Sequence, residues 1–231
     1  LWSLADAEVV RLYFTGVWRS AVGTPVLIGC ASVHVALALA KLYAGKTWRL
    51  PWWQWAQIGL GLLIPVVLVE HLLATRIGHE IFEYEDSYAF ITAVSWPGKA
   101  WDMIWLIAVV WLHGCIGVHY WARLYPLYSR LRPWLLSAAV LLPVLGFAGY
   151  AGMGEEIRGL MALDPNWFPD MLRQVQFPGK PVIQFVTDTH KTALWVIAAL
   201  LTSLALVRLT WVWQARWGDI ELRYPQGRKV T

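Results

Sequence analysis

Residues 105–121 read WLIAVVWLHGCIGVHYW, an apolar run that carries His113 and His119. The run suits the middle of a membrane-spanning helix, where an ionisable side chain is costly and therefore usually functional. Imidazole is among the commonest ligands of metals and of haem iron. Gly117 follows His113 by about one turn on the same helical face, which leaves room beside the ring for something flat. The competing reading is a histidine hydrogen-bonded to a neighbouring helix, since polar residues often join helices in membranes.

Working outward, the rest of the chain repeats the theme. Its 231 residues are 58% hydrophobic and include 17 tryptophans. Apolar stretches near 20–44, 52–79, 99–124, 134–153 and 185–213 each reach the roughly 20 residues that a helix needs to cross a hydrocarbon core. None alternates as a barrel strand would. The expected fold is an all-α, polytopic membrane bundle of five transmembrane helices, preceded by an interfacial helix at 1–18, which is too short and too charged to cross. The bundle is placed at 19–214, and 215–231 is read as the start of a soluble segment with a strand and a turn. Pro65 is expected to kink the second span. Residues 80–98 form an acidic, aromatic connection with room for a short helix, and 154–184 form the longest polar connection. Cys30 and Cys115 lie in spans and are read as packing residues.

Five spans put the termini on opposite sides. The side with the 41–49 loop, the 123–132 loop and the tail has 11 Lys and Arg against Asp219 and Glu221, and the other side has 8 against 13 Asp and Glu. The positive-inside rule makes the first side cytoplasmic, so the chain is read as a multi-pass protein of a cell inner membrane with a cytoplasmic C-terminus. Nothing in the pattern points to nucleic acid.

Depth then sorts the histidines. Counted from the outer ends of their spans, His34 and His113 lie about 14 and about 15 residues in, and His71 and His190 about 7 and about 5. Two pairs at two levels would bracket two stacked haem b groups, each iron held by two imidazoles. These four residues are the expected metal ligands, with Gly117 beside the cofactor. His119 could replace His113 as a ligand. At the outer interface His79 and Glu80, with Glu70 near, offer acceptors for the protons of a quinol. Tyr84, Tyr88 and Trp96 could wall its ring. The plainer reading of that cluster is a solvated loop.

The stretch LHGCIGVHYWARLY at 112–125 resembles the ligand helix of the dihaem cytochrome b anchors of succinate dehydrogenases and fumarate reductases. LLSAAVLLPVLGFAGYAGMG at 135–154 resembles the helix that follows it there. The span order departs from that family, because a further histidine helix follows the matched pair. Over most of its length the chain is more similar to the haem-binding membrane anchors of bacterial class III adenylate cyclases, which implies a cytoplasmic catalytic domain or subunit as partner. ELRYPQGRKVT at 221–231 resembles the first hairpin of a plant-type 2Fe-2S ferredoxin domain, but the chain lacks the C-x4-C-x2-C run that holds a cluster.

The resulting expectation is a dihaem cytochrome that exchanges electrons with quinone and serves as redox-sensing anchor for a cyclase-like domain. The alternatives are the anchor subunit of a respiratory quinone oxidoreductase and, from another class, a proton-coupled transporter using Glu70, His71 and His190 as a relay. A homodimer is left open.

Overall fold

The structure, a computed structural model, describes residues 3–44 and 49–223. Helix α1 (Leu4–Trp18) is followed by α2 (Gly23–Ala44) and by α3 (Trp52–Phe82), whose 73–77 segment is a π turn. The short α4 (Tyr88–Ser95) leads to α5 (Ala100–Ala122) and α6 (Tyr128–Leu163). The short α7 (Trp167–Gln174) precedes the long α8 (Lys180–Arg223). Helices α2, α3, α5, α6 and α8 are long and apolar enough to cross a membrane, and no strand occurs among the described residues. The protein is an all-α, multi-pass bundle. Helix is the form that satisfies every backbone polar group within one segment in the absence of water.

Several boundaries differ from the expected ones. The fourth span does not stop near Met153: α6 runs on to Leu163, taking in Glu155 and Arg158, which pair at 3.1 Å one turn apart. Asp164 and Pro165 end it, as the residue before a proline is pushed out of the helical region. The long polar connection therefore shrinks to 164–179, and half of what remains is α7. At the other end of the chain, α8 stays helical through Arg223 where a strand was expected to begin, and 224–231 lie outside the described residues. Pro65 sits inside α3, which is continuous across it. Cys30 and Cys115 are free thiols.

The chain has two ends with different chemistry. At one, here the connector end, α1, the 83–99 connection, α4, α7 and the start of α8 fold over the spans. Tyr84, Phe90, Met171, Val175 and Val182 form a buried core there, with Phe177 edge-on to Tyr84 at 5.4 Å. The spans themselves are loose, with at most 11% of any apolar window buried. Water drives apolar side chains together only where water is the alternative, and lipid removes that drive between spans.

Charge ties α1 to this cap. Asp86, only 4% exposed, accepts from Arg19 Nη1 at 3.0 Å and Nη2 at 2.5 Å, and from Arg11 Nη1 at 3.2 Å. Glu8 accepts from Arg11 at 2.5 Å and from the Tyr88 backbone N–H at 2.7 Å. Burial pushes the Glu8 carboxyl up, but those hydrogen bonds and the Arg11 charge outweigh it and hold it below its usual range. Ser3 and Asp6 close a capping box at the start of α1.

Removing one partner of a buried ion pair costs about 3–5 kcal/mol, so Asp86→Ala lowers the thermal midpoint in detergent by several degrees, and an unchanged midpoint would show that the strap carries no weight. The Glu8 contribution is complete above its unfolded value of about 4.3 and fades as pH falls through the lower folded value. Glu8→Gln accordingly shows a shallower loss of stability on the acid side than the wild type.

Candidate functional site: a facing pair of histidines

The site is built on the antiparallel contact of α3 with α5. Trp53 stacks on Tyr120 with ring centres 3.8 Å apart, and a Cβ added at Gly117 would lie 3.4 Å from Gln57 Nε2. One added at Gly61 would lie 2.9 Å from His113 Cε1, and at the far end Glu70 pairs with Lys99. Partners on the two helices thus step along together by about a turn at a time, as neighbouring faces of antiparallel helices must. Gly61 is the close approach. Any side chain there would push the imidazole of His113 off the α3 backbone.

That approach lets His113 Nδ1 reach the carbonyl oxygen of Gln57 at 3.2 Å. A carbonyl only accepts, so Nδ1 carries the proton and Nε2 keeps its lone pair. A backbone carbonyl behind the ring is the arrangement that orients ligating histidines in metal sites. In front of His113 stands His34 of α2, with ring centres 6.1 Å apart and planes at 90°. An imidazole nitrogen binds a metal at about 2 Å, so two rings on opposite sides of one iron have centres roughly 6 Å apart once half a ring is added on each side. The spacing fits a bis-imidazole iron. Gln57 Oε1, buried next to this pair, has no hydrogen-bond partner.

Two details depart from expectation. His34 is exposed, as are its neighbours from Pro25 to Lys41 along α2. Where a flat group was expected beside Gly117, the Gln57 side chain sits instead. His119 is elsewhere: its Nδ1 is 2.5 Å from the Tyr128 hydroxyl, at the opposite or basic end of the bundle. The ring that faces His34 is that of His113.

His71 and His190 come from helices that touch, α3 and α8. His190 Nδ1 lies 3.7 Å from Glu70 Oε2, one residue before His71, and Glu70 also binds Lys99. His190 thus stands beside a carboxylate that also binds an ammonium. His71 itself caps nothing, but its carbonyl accepts from Thr75 at 2.7 Å where α3 widens into the π turn. Such turns often mark functional positions in helices. The relay reading groups Glu70 and His190, and Lys99 was not foreseen beside them, though all three residues lie at the expected outer ends of their spans.

The residues expected at a quinol site separate into two neighbourhoods. His79 Nδ1 donates to the Tyr84 carbonyl at 2.7 Å, and Glu80 pairs with Arg76 at 3.2 Å. Trp96 lies against Gly154, with Tyr150 edge-on at 5.5 Å, and its Nε1–H is buried without a partner. Tyr150 in turn shares a 2.8 Å hydrogen bond with Ser95. Tyr84 does not wall a ring site: it is 1% exposed, its hydroxyl donates to the Ala74 carbonyl at 2.5 Å, and burial pushes its pKa up to about 12. Among the described residues no group of three or more His, Cys, Asp or Glu could hold a metal ion, so a metal held here would need ligands besides the protein's own.

No family model, curated protein or solved structure matches the chain.

Gly61→Ala forces a methyl group against His113 and destabilises by about 1–3 kcal/mol. Gly59→Ala, where an added Cβ meets nothing within 4 Å, is neutral or stabilising by up to about 1 kcal/mol. Thermal midpoints of the two variants in detergent separate these outcomes, and equal midpoints would contradict the close approach.

Proposed function

We propose that this chain is a membrane dihaem b-type cytochrome that exchanges electrons with quinone and anchors a cytoplasmic catalytic domain whose activity follows the redox state. The observation that carries the reading is the 6.1 Å separation of the His34 and His113 rings, with His113 Nδ1 held by a backbone carbonyl. Haem iron supplies one-electron transfer at a potential set by its ligands and surroundings.

The work of the protein is to hold and to tune. His113 presents Nε2 because its Nδ1–H donates to the Gln57 carbonyl, and Gly61 keeps the ring in that orientation. His34 approaches from α2 on the opposite side. His71 and His190 form the second ligand pair, one level nearer the connector end, with the Glu70 carboxylate beside them. An anionic carboxylate near a metal centre favours its more positive, oxidised state by simple charge attraction. Lys99, bound to Glu70, offsets part of that bias.

At the connector end, the orphaned Nε1–H of Trp96 is a donor suited to a quinone carbonyl, and His79 Nε2 and Glu80 are proton acceptors for the quinol. The basic end faces the cytoplasm by the Lys and Arg asymmetry of the loops. The connector end then faces outward. In this reading the cyclase-like or other catalytic partner follows the end of α8.

The Glu70, Lys99 and His190 chain also favours a second reading, a proton relay in a transporter. The two separate on pigment, since the relay needs none.

Purified His34→Ala and His113→Ala are expected to lose about half the bound haem and to keep the second spectral component. His71→Ala and His190→Ala are expected to lose the other half. Haem per chain and the reduced absorption spectrum of each variant provide the test. Loss of the same component in all four variants would overturn the pairing, and a colourless wild type would favour the relay. A reporter active only outside the cytoplasm, fused after Thr231, is expected to be silent, and its activity would invert the topology.

A further inference from the structure

The turn between α5 and α6 carries an open surface pocket of about 490 Å³ lined by His119, Arg123, Tyr125, Tyr128, Ser129 and Arg132. From these residues we infer a binding site for the phosphate of an anionic phospholipid headgroup at the basic end of the bundle. The inference is independent of whether the chain binds haem.

Charge is the first argument. Between Asp102 and Glu155 the sequence has no acidic residue, while Arg123, Arg130 and Arg132 fall together at the turn. Among the described residues none of the three arginines is in an ion pair. Two of them, Arg123 and Arg132, line the cavity, and no described carboxylate pairs with either. Guanidinium groups match phosphate oxygens with paired, charge-assisted hydrogen bonds.

Preorganisation is the second. Arg123 lies over the Tyr120 ring at 4.4 Å and is 5.9 Å from the Trp53 ring, which itself stacks on Tyr120. The guanidinium is thus held in place by cation–π contact before any anion arrives. The His119 and Tyr128 side chains are tied to each other at 2.5 Å, which fixes the back wall. Helix α6 starts at Tyr128 with no side-chain cap, so the positive end of its backbone dipole adds to the same cavity.

Location decides the source of the phosphate. The cavity lies where two apolar spans end, and Trp53, Trp121, Tyr125 and Trp134 surround that level as an aromatic belt does at a membrane interface. Trp121 and Trp134 are 65% and 76% exposed, and Leu135 and Leu136 continue the exposed apolar face of α6 away from the cavity. A lipid could place its phosphate among the arginines and its acyl chains along that face. A free phosphate would use only the first half of this surface. Basic residues just outside spans attract anionic lipid by the same electrostatics.

The test uses the full chain in a nonionic detergent, titrated with short-chain phosphatidylglycerol, phosphatidylcholine or inorganic phosphate. Binding is read by native mass spectrometry and by the thermal midpoint. Phosphatidylglycerol is expected to bind and raise the midpoint. Arg123→Gln and Arg132→Gln are each expected to weaken it about fivefold, and the double variant roughly twentyfold to thirtyfold. Arg130→Gln, next to the cavity but not lining it, serves as the control for a general loss of charge and is expected to bind as the wild type does. Arg123→Lys keeps the charge and guards against a folding defect at that position. Equal binding of phosphatidylcholine would overturn the inference, as would equal loss in the Arg130 variant. Displacement by inorganic phosphate at matched concentration would assign the site to the free anion and overturn the lipid.

Discussion

Gly61 lets α3 and α5 come close enough for the His113 ring to rest on the α3 backbone, and the rest of the bundle is placed from that contact. Trp53 against Tyr120 sets the level at the basic end, and Glu70 against Lys99 sets it at the other. With both ends matched, His113 cannot slide along its partner. Its Nδ1 therefore stays at the Gln57 carbonyl and its free nitrogen stays aimed away from α3. His34 meets it from α2, which is exposed from Pro25 to Lys41, with the two ring centres 6.1 Å apart.

Two kinds of stabilisation divide the molecule. The connector end is packed as a water-soluble domain is, with Tyr84, Phe90, Met171, Val175 and Val182 in one core and a buried carboxylate shared by two arginines. Within the spans the side chains face outward and little is buried, because lipid is as good a solvent for leucine as another helix is.

The five spans were legible because length and apolarity alone decide whether a helix can cross. Their ends were not. Helix α6 continues beyond the hydrocarbon on residues such as Glu155 and Arg158, which hydropathy scores as loop but which pair along a helix face. The level shared by His34 and His113 could be read because rise per residue is constant and spans alternate in direction. Rotation about the helix axis could not, since spans apolar all round carry no marked face. That is why Lys99 was not expected beside Glu70 and His190, and why the exposure of His34 was missed. Tyr84 looked like an interfacial aromatic, and only the packing of α7 against the 83–95 segment makes it core.

The central claim is that His34 and His113 are placed to hold one iron between them, with His71 and His190 holding another. The most direct measurement is the dithionite-reduced absorption spectrum of the purified full chain, with haem and carbon monoxide binding quantified per polypeptide. Two haem b per chain, low-spin and unreactive to carbon monoxide because two imidazoles would hold each iron, is the expected result. A colourless protein, or haem that binds carbon monoxide in full, would contradict it.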